Sequence, residues 1–196
     1  GMQIKDELNG RSVIKLDPIS KKKKGILTSR SFRNPVSELS QLNEAIASYV
    51  NTASRKLRKE DLLCSRISVF ILSSKSGPQY FNKFSIDLDE PTDSISILIK
   101  RSKSCLSQIY RKGYSFKKVG VFLSGLVRKD IVPLGLSQEA KPSQTLLWRE
   151  FDRINSKFSG RAIFYASEGT IQGWKMRQEN ISQNYTTKWD EILRVY

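Results

Sequence analysis

A chain of 196 residues has room for one medium domain, or for a domain of about 100 residues with a smaller appendage. Its 34 Lys and Arg against 19 Asp and Glu leave a net charge of +15. Such self-repulsion usually serves an anionic partner, with nucleic acid ahead of an anionic membrane surface. The chain has no histidine, which excludes imidazole acid–base chemistry and a serine–histidine mechanism, and no apolar run nears the roughly 20 residues that span a bilayer.

Along the chain, residues 3–20 read as the end of a preceding element and a linker closing at Asp17-Pro18. Four consecutive lysines, Lys21–Lys24, then run into a first strand, Gly25–Ser31. After Pro35 a helix is predicted, with Ser37 as N-cap. Leu39, Leu42, Ile46, Tyr49, Val50, Ala53 and Leu57 recur on one of its faces. Arg66–Leu72 is rich in β-branched and aromatic residues and predicts a second strand. Tyr80–Leu88 alternates Tyr80, Asn82, Phe84, Ile86 and Leu88 against Phe81, Lys83, Ser85 and Asp87, a third strand paired to the second as a hairpin. A second helix begins near Asp93 and stops at Gly113. Phe116–Leu123 is a fourth strand, with Val119, Val121 and Leu123 on one side and Lys118, Gly120 and Phe122 on the other.

The order βαββαβ predicts an α+β fold over 24–126: a four-stranded, mainly antiparallel sheet with both helices on one face and the other face open. A linker over 127–144 and a small α/β appendage over 145–196 follow. The appendage is read as an amphipathic helix (Leu147, Trp148, Phe151, Ile154, Phe158), an apolar strand (Ala162–Tyr165) and an aromatic tail. Cys64 and Cys105 fit no metal spacing and read as buried thiols of a cytoplasmic protein. No secretory leader is visible, and Gly1 before Met2 reads as a cleavage remnant on a piece of a longer protein.

Function is read from charge and hydroxyls. From Ser94 to Lys129 there are nine cations and no acid. Ser29, Arg30 and Ser31 end the first strand, Lys83 lies on the third, and Lys117 and Lys118 open the fourth. Together these six are expected to present phosphate ligands on the open face, which position a duplex without reading bases. The same element order occurs in RNA-recognition modules, which stack bases on sheet aromatics. The third strand lacks their glycine–aromatic signature. Asp87, Asp89, Glu90 and Asp93 cluster at a strand–helix junction and read as an N-cap with solvated charges rather than a magnesium site. No catalytic set is found. Most of the tail aromatics read as a small satellite core, with a partner-binding patch as the alternative, for which Trp174 and Trp189 are the candidate anchors.

Several strings carry a family resemblance. Ser29-Arg30-Ser31-Phe32 followed by Pro35-Val36, then Pro78-Gln79-Tyr80, Pro91-Thr92-Asp93, Ile109 to Tyr114 and Lys117 to Val121, resemble the little-finger domain of UmuC-like Y-family DNA polymerases. Trp174-Lys175-Met176-Arg177 and the stretch Ser182 to Asp190 resemble the C-terminal segment of UmuC. Leu8-Asn9-Gly10 resembles the end of the preceding thumb, so 1–23 would be thumb end and basic linker. The resemblance implies error-prone synthesis across damaged DNA in the SOS response. It puts the catalytic carboxylates and magnesium in a palm domain N-terminal to this chain, leaving this fragment without a cofactor and inactive alone. It implies a sheet laid against primer–template DNA, and UmuD-type subunits, a recombinase filament or the sliding clamp as partners. The clamp-binding peptide is degenerate here: Leu134 and Leu136 remain, while the glutamine and phenylalanine positions do not match.

Overall fold

The computed structural model describes residues 1–13, 23–74, 77–131, 142–158, 162–176, 182–186 and 188–192. Their elements are α1 (Met2–Leu8), β1 (Gly25–Val36), α2 (Leu39–Lys59), β2 (Leu62–Ser73), β3 (Phe81–Thr92), α3 (Ile95–Ile109), β4 (Phe116–Arg128) and α4 (Pro142–Lys157). Short 3-10 turns lie at Lys129–Ile131, Ala166–Glu168 and Trp189–Glu191. Residues 25–128 therefore follow the predicted βαββαβ order. The four strands form one sheet in the order β1-β4-β2-β3, with every pair antiparallel.

Period-2 alternation decides which side chains meet the helices. Ile67, Val69 and Ile71 of β2 and Val119, Val121 and Leu123 of β4 are fully buried there. They pack against Leu42, Ile46, Val50 and Leu57 of α2 and Leu98, Leu106 and Ile109 of α3. Each such side chain, taken fully out of water, contributes roughly 1.5–3 kcal/mol. Tyr110 Oη donates to the Ser37 carbonyl at 2.9 Å and Tyr80 Oη to the Ile109 carbonyl at 2.8 Å, so the end of α3 is fixed to both its neighbours. Cys64 and Cys105 are both free and buried; burial, with Asp93 nearby, pushes the Cys64 thiol up to about 12.

The structure moves several expected boundaries. β1 runs through Pro35 to Val36, whose side chain is buried, so the N-cap of α2 is Glu38 rather than Ser37. Ser94, not Asp93, caps α3; Asp93 instead pairs with Lys129 at 2.6 Å. The predicted strand at Ala162–Tyr165 is an irregular segment. Its backbone finds a side chain in place of a neighbouring strand: Asn155 Nδ2 donates to the Ile163 carbonyl at 2.9 Å, and the Ile163 N–H donates back to Asn155 Oδ1 at 3.0 Å. With its polar groups met this way, the apolar run needs no ladder.

Candidate nucleic-acid interface

The face of the sheet turned away from the helices is lined in strand order by Leu27, Ser29 and Ser31 of β1, Lys118, Gly120 and Phe122 of β4, Arg66, Ser68, Phe70 and Leu72 of β2, and Phe81, Lys83, Ser85 and Asp87 of β3. Register puts Ser31 beside Lys118 and Ser29 beside Gly120. It also puts Phe70 between Gly120 and Lys83, and Arg66 opposite Asp87. Gly120 is required by close approach: a Cβ there would lie 2.3 Å from the Phe70 ring and 2.6 Å from Ser29 Cβ. The Phe70 ring thus lies flat across β4. Lys83 reaches across β2 to place Nζ 5.7 Å from the centre of the Phe122 ring, and on the same face the Ser68 and Ser85 hydroxyls are bonded to each other at 2.8 Å.

Four of the six residues expected to contact phosphate, Ser29, Ser31, Lys83 and Lys118, share this open face. Two depart from it. Arg30 has the opposite alternation: it pairs with the buried Val119, and its Nη1 donates to the Ser29 carbonyl at 3.0 Å. Its charge acts on Tyr49 of α2, where burial pushes the phenol up to about 12 and the guanidinium pulls weakly the other way. Lys117 is the extra residue of a β-bulge: β2 pairs Leu72 with Lys118 but Ser73 with Phe116. A bulge turns its side chain out of the regular alternation, and Lys117 is exposed there.

The charges of the face divide into two zones. At one end Arg66 and Asp87 form a bidentate pair (2.5 and 3.1 Å), which holds the Asp87 carboxyl below the usual carboxylate range. At the other end, Lys117 and Lys118 have no acidic partner among the described residues. Sequence reasoning assigned Lys118, Gly120 and Phe122 to this side but missed Phe70. The alternation Arg66, Ser68, Phe70, Leu72 against Ile67, Val69, Ile71 carried that signal. Phe81, on the edge strand, is 63% exposed and lies 6.4 Å from Phe70, centre to centre.

Remaining candidates fall elsewhere. Leu134 and Leu136 lie outside the described residues. Trp189 is 88% exposed on the Trp189–Glu191 turn, whose Glu191 carboxylate accepts the Asn184 N–H (2.5 Å) and the Lys188 ammonium (2.9 Å). Those bonds hold the Glu191 carboxyl down at about 2. Trp174 corrects the expectation of a partner anchor: it is 6% exposed and belongs to the chain's own core. Among the described residues no group of three or more His, Cys, Asp or Glu is arranged to hold a metal, and no helix is long and apolar enough to cross a membrane. Asp89 pairs with Arg101 at 2.8 Å, so Asp87, Asp89 and Asp93 of the acidic junction each go to a separate ion pair.

Comparison with known proteins places these features in a family. A model described as the impB/mucB/samB family C-terminal domain matches residues 23–136, and one described as a domain of unknown function (DUF4113) matches residues 147–195. The chain is 31% identical to protein UmuC of Salmonella typhimurium over 194 residues, 96% of this chain and 46% of that protein. It is 32% identical to protein ImpB of the same species over 191 residues, 95% and 45%. Protein MucB of Escherichia coli is 31% identical over 191 residues, again 95% and 45%. The chain thus spans less than half the length of these relatives. Among solved structures, it is similar to the little finger domain of PolIV in a complex with the beta-clamp processivity factor (TM-score 0.40, 20% identity, 57% of this chain and 99% of that one). It is also similar to Dbh DNA polymerase in an insertion ternary complex (TM-score 0.41, 17% identity, 65% and 35%). Matched over more than half its residues, the chain belongs to the impB/mucB/samB family, of which it carries the C-terminal domain.

Proposed function

We propose that this chain is the DNA-gripping little-finger region of an error-prone, UmuC-like Y-family polymerase that works in the cytoplasm on damaged primer–template DNA. The observation that carries this reading is the unpaired cationic end of the open face, where Ser29 and Ser31 stand beside Lys118 with the exposed Lys117 next to it. Hydroxyls and ammonium groups at the spacing of a sheet suit phosphate oxygens, which fix a duplex without reading its sequence. The flat Phe70 and Phe122 rings offer apolar area to sugars at the same surface. The polymerase chemistry and its magnesium belong to the part of such proteins that this chain does not span. UmuD-type subunits, a recombinase filament or the sliding clamp are the proposed protein partners, with the exposed Trp189 as an anchor.

The test is titration of a fluorescent primer–template at two salt concentrations. Weak binding without sequence preference is expected, with log K falling steeply as log salt rises. The substitution Lys118→Gln should lower that slope by about one phosphate contact. Salt-independent binding, or none at low salt, overturns the reading. A second reading is favoured by Phe70, Phe81 and Phe122 together: an aromatic platform that stacks single-stranded RNA. Competition decides between them, since single-stranded RNA should displace duplex DNA only if that platform is the site.

A further inference from the structure

The segment that follows the linker does not stand apart from the sheet domain. Trp174 wedges between Phe32 of β1 (ring centres 6.1 Å apart, planes at 77°) and Tyr49 of α2 (5.9 Å, 84°), and its indole N–H points at the Glu44 carboxylate, 3.4 Å away. Gly169 follows the turn of Ala166–Glu168 with φ of 72° and sits against the same Glu44; a Cβ there would come within 2.7 Å of the carboxylate. At the far end of α2, Arg58 grips Asp152 of α4 through two bonds (2.6 and 2.8 Å). The segment therefore holds α2 from Glu44 to Arg58, about 21 Å of helix at 1.5 Å per residue.

The strand end on the other side of Trp174 lacks the usual support. β1 is an edge strand, and its pairing with β4 is regular only as far as Ser31; the register breaks there and resumes at Val36. Ser31, opposite Lys118, is the last regularly paired residue, and residues 32–35 beyond it have no ladder partner to hold that strand end. Phe32, 4% exposed, anchors the first of them, and Trp174 packs against its ring.

We propose that the C-terminal segment is a brace for the nucleic-acid face, and that Trp174 is a positioning residue: through Phe32 it sets where β1 presents Ser31 beside Lys118. This rests on the DNA reading above and gives residues 147–176, which lie in the domain of unknown function, a physical task. It also predicts that DNA affinity and the C-terminal segment are not separable.

The experiment uses the full chain with Trp174→Ala, Trp174→Phe and Gly169→Ala, the last of which shifts the segment off Glu44 without opening a cavity in the core. Duplex titrations at several salt concentrations are run beside amide hydrogen exchange and thermal melts. Loss of one hydroxyl–phosphate hydrogen bond corresponds to about fivefold in affinity. Trp174→Ala should therefore bind about fivefold more weakly with an unchanged salt slope, since no cation is lost, and amides of residues 31–36 should exchange faster. Gly169→Ala should move both readouts in the same direction by less, and Trp174→Phe should stay near the parent chain. Unchanged affinity, or a loss no larger than the unfolded fraction from the melts, overturns the brace; so does weaker binding with exchange at 31–36 unchanged. If the parent chain itself does not bind DNA, the DNA reading fails, and the exchange at 31–36 still decides whether the segment braces β1.

Discussion

The open face of the sheet and the outer face of α2 are made of similar residues: aromatic rings, hydroxyls and amides, and long charged side chains. They differ in whether the charges are matched. On α2, Arg58 meets Asp152, and Asn51 donates to the Glu168 carboxylate at 2.8 Å. Glu168 is 2% exposed and the Arg58 side chain 8%, so the charges there are met by partners from the C-terminal segment, even though Arg58 Nη1 is left without one. On the sheet, matching stops at the Arg66–Asp87 pair, and the cations beyond it are left to solvent. A surface whose charges are satisfied from within the chain is a finished interior contact. One whose charges are left unpaired still has an anionic partner to meet.

This contrast can be broken from either side. The largest effect should come from Gly120→Val, which sets a branched side chain where the Phe70 ring and Ser29 already touch. Overpacking of this kind costs roughly 2 kcal/mol, and it should lower the denaturation midpoint while also roughening the flat part of the face. Next is Arg58→Ala, which leaves Asp152 without its partner. Truncating a buried pair costs about 3–5 kcal/mol, but Asp152 keeps some contact with water and Arg58 Nη1 is already buried without a partner, so about 1–2 kcal/mol is expected. Limited proteolysis should then cut the C-terminal segment before the sheet. The smallest effect should come from neutralising Lys100, Lys103, Arg111 and Lys112 on and just after α3. These cations lie in the helix layer, behind the sheet, and a duplex held by the open face should bind within about twofold of the parent chain at physiological salt. A loss as large as that of Lys118→Gln would move the binding surface to the helical side.

Much of this was legible in the sequence because alternation and helical periodicity are local. Val119, Val121 and Leu123 against Lys118, Gly120 and Phe122 came out on their true sides, as did the apolar stripe of α2. What escaped depends on partners distant in the chain or on single-residue irregularities. Arg30 was grouped with Ser29 and Ser31 by proximity in sequence, yet one step along a strand reverses the face. Lys117 leaves the alternation at a bulge that no residue type announces. The strand expected at Ala162–Tyr165 failed because Asn155 offers its backbone a carboxamide. The docking of Trp174 joins it to Phe32 and Tyr49, each more than a hundred residues away in the chain, and Glu44, Asn51 and Arg58 look in sequence like an ordinary solvated helix face.

Gly169 has a further consequence for how such chains can be recombined. Its fit against Glu44 at a positive φ means that the contact is cut for one particular α2, and the pairs Asn51–Glu168 and Arg58–Asp152 repeat that matching along the same helix. The tail is therefore not an interchangeable cassette. A chimera that takes its last fifty residues from a relative should also import that relative's α2, or accept a mismatched joint, so the two stretches are expected to be inherited as one unit despite the linker between them.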